Sequence, residues 1–238
     1  MLALFRQPKW IALSVLVAVV AALFLSLGFW QLDRRSERIL DNEVRSSRFD
    51  APVVDLEAAL SAIGSDVSSL EYRQVTVTGT FRPESEILIR SRVFRGTAGF
   101  GVITPLEIDS GVTVLVDRGW VPLEYDTAPI PAPPLERVGV AAMVRLSLAA
   151  SSIGPVDEAN AATFSRVDLS LLANRFPGLA PVWLQVVSDA RPGSLPVPAG
   201  LPVFDSEGPH MSYAVQWFSF AIISLVGFYF LARKSARR

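Results

Sequence analysis

Residues 10–30 read WIALSVLVAVVAALFLSLGFW and carry no charged side chain. At about 1.5 Å of rise per residue, a helix of that length crosses a hydrocarbon core of roughly 30 Å. A second uncharged run, MSYAVQWFSFAIISLVGFYFLA, fills residues 211–232. The segment between them, 31–210, is of ordinary domain size and long enough to bury a core without disulfides. The organisation expected is a tail over 1–9, a transmembrane helix over 10–30, a folded domain over 31–210, a second transmembrane helix over 211–232 and a basic tail over 233–238. The apolar core of the first run is longer than that of a cleaved signal peptide, so it reads as a retained anchor.

Charge orients these pieces. All 23 acidic residues fall within 31–210, where 16 arginines leave a net charge of −7. The flanks hold Arg6 and Lys9 at one end and Arg233, Lys234, Arg237 and Arg238 at the other. Positive residues stay on the cytoplasmic side, which predicts two passes of the plasma (inner) membrane, both termini in the cytoplasm and the large domain extracytoplasmic. Arg34, Arg35 and Arg38 pull weakly the other way. An acidic outer domain makes nucleic acid an unsuitable partner, and the bilayer is the first partner implied.

Working outward, GFWQLDRRSERILDNEVRSS continues the first helix as a stalk to about residue 46, with opposite charges paired at helical spacing: Arg34 with Glu37, Arg38 with Asp41, Asp41 with Arg45. After Pro52, VVDLEAALSAI suits a short amphipathic helix that stops near Gly64. The period then becomes two. Six Val-rich strands are predicted, over 72–81, 86–94, 99–108, 112–123, 138–149 and 181–188, with Asp109-Ser110-Gly111 turning a hairpin between the third and fourth. A short helix over 168–176 is capped by Asp168. Residues 128–136 form an extended Pro-rich connector, and 191–209 an irregular strap to the second span. The fold class expected is an α+β membrane protein: two transmembrane helices flanking an extracytoplasmic antiparallel sheet, barrel-like, with short helices.

Enzymatic chemistry finds little material. The chain has one histidine and no cysteine, which excludes Ser–His and Cys–His machinery away from His210 and the usual multi-ligand zinc and copper sites. No GxGxxG or P-loop pattern occurs, and Asp117, Glu124 and Asp126 are each accounted for by turns and solvated faces. His210 follows Gly208-Pro209, with Pro at the first helical position and Gly as N-cap. A neutral imidazole ligates iron, and Tyr213 or Ala214, Trp217 and Ala221 follow on its face, a wall for a large planar cofactor. Met211 points about 100° away. The competing reading is interfacial anchoring, common for His, Tyr and Trp at a membrane surface. Gln216, inside the span, calls for a protein partner. In VLVDRGWVP (114–122) either Asp117 neutralises Arg118 at a strand end, or Arg118 and Trp120 are displayed for a partner or an acidic ligand group.

Three segments together, GFWQLDRRSERI (28–39), GFGVITPLEI through VLVDRGWVP (99–122) and GPHMSYAVQWFSFA (208–221), resemble the surfeit-locus-one family of cytochrome c oxidase assembly factors. The resemblance implies a non-enzymatic role, assisting haem a insertion into, or stabilisation of, the oxidase's catalytic subunit (subunit I), with neighbouring subunits or a supercomplex as further partners. It implies a transient haem contact at His210, with Tyr213 and Trp217 beside it and Arg34 or Arg118 meeting the propionates. It also implies partner contacts at Gly28, Trp30, Trp120 and Gln216, with Gly119 part of the sheet motif. The alternative is a permanent accessory subunit or scaffold of a respiratory complex that binds no haem.

Overall fold

A computed structural model describes residues 6–64, 66–149, 157–159, 161–188, 193–204 and 206–237. In chain order the elements are α1 (Pro8–Phe49), β1 (Val54–Asp55), α2 (Leu56–Ile63), β2 (Gln74–Phe81), β3 (Ile87–Phe94), β4 (Thr97–Ile108), β5 (Thr113–Pro122), β6 (Val138–Arg145), β7 (Thr163–Phe164), α3 (Leu169–Leu172), β8 (Leu179–Gln185) and α4 (His210–Ser235). The chain divides into two compact bodies, 1–44 with 204–238, and 45–203. Two helices long and apolar enough to cross a membrane, α1 and α4, flank a β-barrel-like domain.

In the helical body, small residues let the two helices approach. Ala21 and Gly28 of α1 and Ala214, Ala221 and Ala232 of α4 are buried, the pattern by which apolar helices pack without a hydrophobic driving force between them. A Cβ on Gly28 would lie 2.4 Å from the Phe218 ring. Phe24 stacks on Trp217 with centroids 5.7 Å apart, and Trp10 meets Phe228 at 6.3 Å.

All six long strands expected from the alternation form. Five of them close a ring: β2 pairs with β6, β6 with β8, β8 with β5, β5 with β4, and β4 with β2 through Gly79–Phe81 and Leu106–Ile108. β3 lies outside the ring on β4. The sheet is not wholly antiparallel as expected: β8 runs parallel to β5. β6, antiparallel to β8, brings the chain back to the end from which β5 started, so β8 enters the sheet parallel to β5 and antiparallel to β6. Numbered by their order in the chain, the ring strands run 1-2-3-5-4-1 with only 3 and 5 parallel, the arrangement of the five-stranded Greek-key (OB-fold) barrel.

Alternation divides the core accordingly. Val75, Val77, Leu106, Val114, Val116, Val144 and Leu184 fill the barrel, plugged by Leu56 of α2. Ile87, Ile89, Ile103, Leu115 and Trp183 pack outside it beneath α3 with Phe164 and Leu172. As expected, Asp168 accepts N–H groups of α3 and Gly64 ends α2, at φ 63°; Asp55 in addition caps α2 by accepting the Ala58 N–H. α3 is one turn, Leu169–Leu172, rather than the run to residue 176.

Candidate functional site

The first candidate is built on the stripe Gln31, Arg35, Arg38 and Asn42 of α1. Their spacing of four, three and four puts them on one helix face, and all four grip the segment entering α4. Asn42 Nδ2 and Arg38 Nε donate to the Ser206 carbonyl at 3.0 and 3.4 Å. Arg35 pairs with Glu207 at 2.7 Å. Gln31 Oε1 lies 2.8 Å from His210 Nδ1. A ring protonated at Nδ1 donates to Gln31 and keeps a lone pair on Nε2, the form a metal takes. Gly208, at φ 69°, leaves that edge clear: a Cβ there would sit 3.4 Å from Nε2. The helix itself begins one residue later than expected, with Pro209 as N-cap and its carbonyl accepting from the Tyr213 N–H at 3.2 Å.

The remaining residues named from sequence separate. Tyr213 is exposed at 48%, and Gln216, also exposed, makes no hydrogen bond among the described residues. Trp217 is half-buried, its ring stacked on Phe24 and edge-on to Phe220. It therefore belongs first to the helix pair and only at its open edge to any ligand. Gly28 is likewise buried, against Phe218 of its own chain, and permits a close approach of the two helices. Arg34 pairs with Glu37 at 2.6 Å, as its spacing predicted, and its guanidinium lies 5.8 Å from the Trp30 ring. These two form one exposed unit. Arg38 turns to Ser206, a bond that the helical spacing concealed.

Arg118 and Trp120 belong to the barrel body. Arg118 is the unopposed residue of a bulge, since Val102 faces Gly119 while Ile103 faces Asp117. As consecutive strand residues, Asp117 and Arg118 point to opposite faces of the sheet, so the two charges do not neutralise each other. Arg118 Nη1 donates to Glu86 at 2.8 Å, Thr104 Oγ1 donates to the same carboxylate oxygen, and Arg118 Nη2 holds the Pro131 carbonyl of the Pro-rich connector. The pair is shielded, at 11% and 13% exposure, and burial pulls the Arg118 pKa down against the pull of Glu86. Among the described residues the polar contacts of this arginine are with Glu86, Thr104 and the Pro131 carbonyl.

Trp120 is gripped by the strap: its backbone N–H and C=O both bond Val197 at 2.7 Å. Beside it lies a cleft of about 260 Å³ lined by Arg92, Phe94, Asp117, Trp120, Gln185 and the strap residues 197–200. Asp117, 5% exposed, accepts the Gly119 N–H at 2.9 Å. Burial pushes its carboxyl up to about 6 from the ordinary 3.8, opposed by the charge of Arg92, the Gly119 N–H, the Gln185 amide and Arg145. Composition gave no sign of this residue as special; its signal is the bulge.

A stability consequence follows. Between about 3.8 and 6 the folded carboxyl holds a proton that the unfolded chain has released. Stability therefore falls as pH rises through that window, and above it the buried carboxylate costs about 3 kcal/mol. Asp117→Asn is expected to melt about 5–10 °C above the wild type at pH 8. That gap should close as the pH is lowered from 6 towards 4. A gap indifferent to pH in melts followed by tryptophan fluorescence would refute the assignment.

The comparisons with known proteins agree in one family. The sequence model of the SURF1 family matches residues 18–222. An uncharacterized SURF1-like protein of Mycobacterium tuberculosis is 34% identical over 244 residues, covering 99% of this chain and 88% of its own length. A SURF1-like protein of Monosiga brevicollis is 30% identical over 249 residues, 96% of this chain and 89% of its own. The Surfeit locus protein 1 of Arabidopsis thaliana is 34% identical over 130 residues, 50% of this chain and 36% of its own. With two apolar helices around a small barrel and a match running almost from end to end, the chain belongs to the SURF1 family, known for cytochrome oxidase assembly factors.

Proposed function

We propose that this protein is a membrane-bound assembly factor of cytochrome c oxidase, acting without catalysis of its own, that assists haem a insertion into, or stabilisation of, the catalytic subunit. It spans the plasma (inner) membrane twice, with both termini in the cytoplasm and the barrel outside. The charge distribution supports that orientation, with the cations outside 31–210 unaccompanied by any acid. The observation that carries the reading is the pairing of His210 with Gln31, which fixes the ring and leaves Nε2 open at the head of α4. Haem a, if held here, would supply an iron able to take an imidazole nitrogen as ligand. His210 offers that nitrogen, Gln31 holds the tautomer and orientation, and Tyr213 stands exposed on the following turn. Arg34, already paired with Glu37, remains exposed enough to meet a propionate. A single protein ligand suits a passing contact rather than storage. Gln216, exposed and without a hydrogen bond among the described residues, supports docking of α4 on another membrane protein, where its amide finds a partner.

The test is affinity purification of wild type, His210→Ala and Gln31→Leu in parallel, with haem spectra and identification of co-purifying subunits. The wild type is expected to carry haem a that His210→Ala loses while partners are retained. Loss of the Gln31 hydrogen bond to His210 in Gln31→Leu should weaken retention by about 10–100-fold. Equal haem in all three, or none in any, would sink the ligand role. Oxidase subunits retained without haem would point to the accessory-subunit alternative, and their absence would overturn the assembly reading.

A further inference from the structure

The cleft beside Trp120 is remote in sequence from the His210 site and lies wholly within the barrel body. Its walls are chemically opposed. On one side the Asp117 carboxyl is hydrogen-bonded by the Gly119 N–H and the Gln185 amide. On the other, Arg92 lies over Gly101, which leaves it room: a Cβ there would come within 3.5 Å of its Nε. Arg92 acts on Asp117 through its charge, yet the two form no direct ion pair, and the Arg92 guanidinium makes no hydrogen bond among the described residues. An apolar boundary is supplied by Phe94 and Trp120, whose rings sit 5.5 Å apart.

We propose that this cleft binds a neutral polyhydroxylated ring, a single sugar residue or a cyclic polyol, bridged between Arg92 and Asp117 and set against the Phe94–Trp120 pair. A hydroxyl accepts from the guanidinium and donates to the carboxylate in the same geometry, which no charged group does. An anion is repelled by Asp117 and a cation by Arg92. The C–H face of a ring covers an aromatic surface while its hydroxyls reach polar groups at the rim, the usual division of a small-ligand site. The volume of about 260 Å³ falls just below the range of drug-sized pockets and suits one ring. An extended peptide is disfavoured because the backbone donor and acceptor of Trp120 are already taken by Val197. Fold analogy points the same way. The cleft draws Gly101 from the second ring strand and Asp117, Gly119 and Trp120 from the third, the face on which OB-fold barrels take oligosaccharides and oligonucleotides. The acidic domain disfavours the nucleotides. An ionised carboxylate kept buried in a solvent-open cleft, at a cost to stability, is also what a binding residue looks like.

The inference does not depend on the haem reading. The experiment is saturation-transfer NMR on the full chain in nanodiscs, since glycoside detergents would themselves enter the cleft. Glucose, N-acetylglucosamine and myo-inositol serve as neutral probes, glucuronate as the anionic one and glucosamine as the cationic one. At least one neutral ring is expected to bind at millimolar concentration. The charged probes should bind about tenfold more weakly, as should the neutral ring to Arg92→Met or Asp117→Asn. Thermal melts establish that both variants are folded. No transfer to any neutral probe, preference for glucuronate, or binding unchanged in either variant would overturn the proposal.

Discussion

Gly119→Val is expected to release the strap from the barrel and to lower the melting temperature by about 10 °C. Two separate penalties add. Gly119 sits at φ 128°, where a β-branched residue is strained by about 1–3 kcal/mol. Its missing Cβ would also lie 2.1 Å from the Val197 carbonyl oxygen and 2.4 Å from the carbonyl carbon, backbone atoms with nowhere to go. Moving them breaks both Trp120–Val197 hydrogen bonds, each worth about 1 kcal/mol. The sum is about 3–5 kcal/mol, which in a domain of this size corresponds to the shift stated. Limited proteolysis should find new cleavage within residues 193–204. Gly111→Ala is the control: its φ of 78° carries strain, but nothing lies within 4 Å of the added methyl. It should cost about 1 kcal/mol and leave the strap protected. Equal loss in both variants would show that strain alone, and not the strap, decides the effect.

Arg118→Ala should be nearly as damaging, for an electrostatic reason. The substitution leaves the Glu86 carboxylate shielded with only the Thr104 hydroxyl for company, and it frees the Pro131 carbonyl. Removing one partner of a buried pair costs about 3–5 kcal/mol. The double variant Arg118→Met with Glu86→Gln, which removes both charges and keeps the volume, should recover much of that loss, a coupling that a double-mutant cycle measures. Additive losses would mean that the two side chains act independently. The same variant bears on the oxidase. If Arg118→Ala lowers haem content, the fall should track the unfolded fraction of the barrel, because the arginine's contacts are internal.

The large divisions of the molecule were legible because each rests on local pattern. The two spans follow from absent charge, and the strands from valines at every second position, as in Val75 and Val77. The β4–β5 hairpin follows from Asp109-Ser110-Gly111, with Gly111 at φ 78°. What escaped was pairing at a distance. Arg35, Arg38 and Asn42 sit at spacings that suit bonds within one helix equally well, so nothing in the local pattern reveals that they hold Ser206 and Glu207. Gly28 announces a close approach without saying to what, and its partner Phe218 is in the other helix. For Arg118 the neighbouring Asp117 offered the opposite charge, yet consecutive strand residues face opposite sides of a sheet, and its partner Glu86 lies 32 residues away in the chain. The parallel insertion of β8 between β5 and β6 has no local signature either, since it is set by which strands pair and not by any short stretch of sequence. His210 is the instructive middle case. Its position was plain from sequence, while the ring's hydrogen bond to Gln31, which decides which nitrogen is available, was not.

The ring order has a bearing on how the chain is made. β8 stands between β5 and β6 but is the last of the five strands to be synthesised. Until residue 185 has been added, β5 and β6 each present an unpaired edge, and β5 carries Val114, Leu115 and Val116, all fully buried in the finished protein. The barrel therefore cannot mature strand by strand behind the ribosome. It closes in one late event, after a period in which an apolar edge is open to pairing with other chains. A premature stop before residue 185 would not yield a smaller barrel, but an open sheet attached to the apolar helix α1 and prone to aggregate.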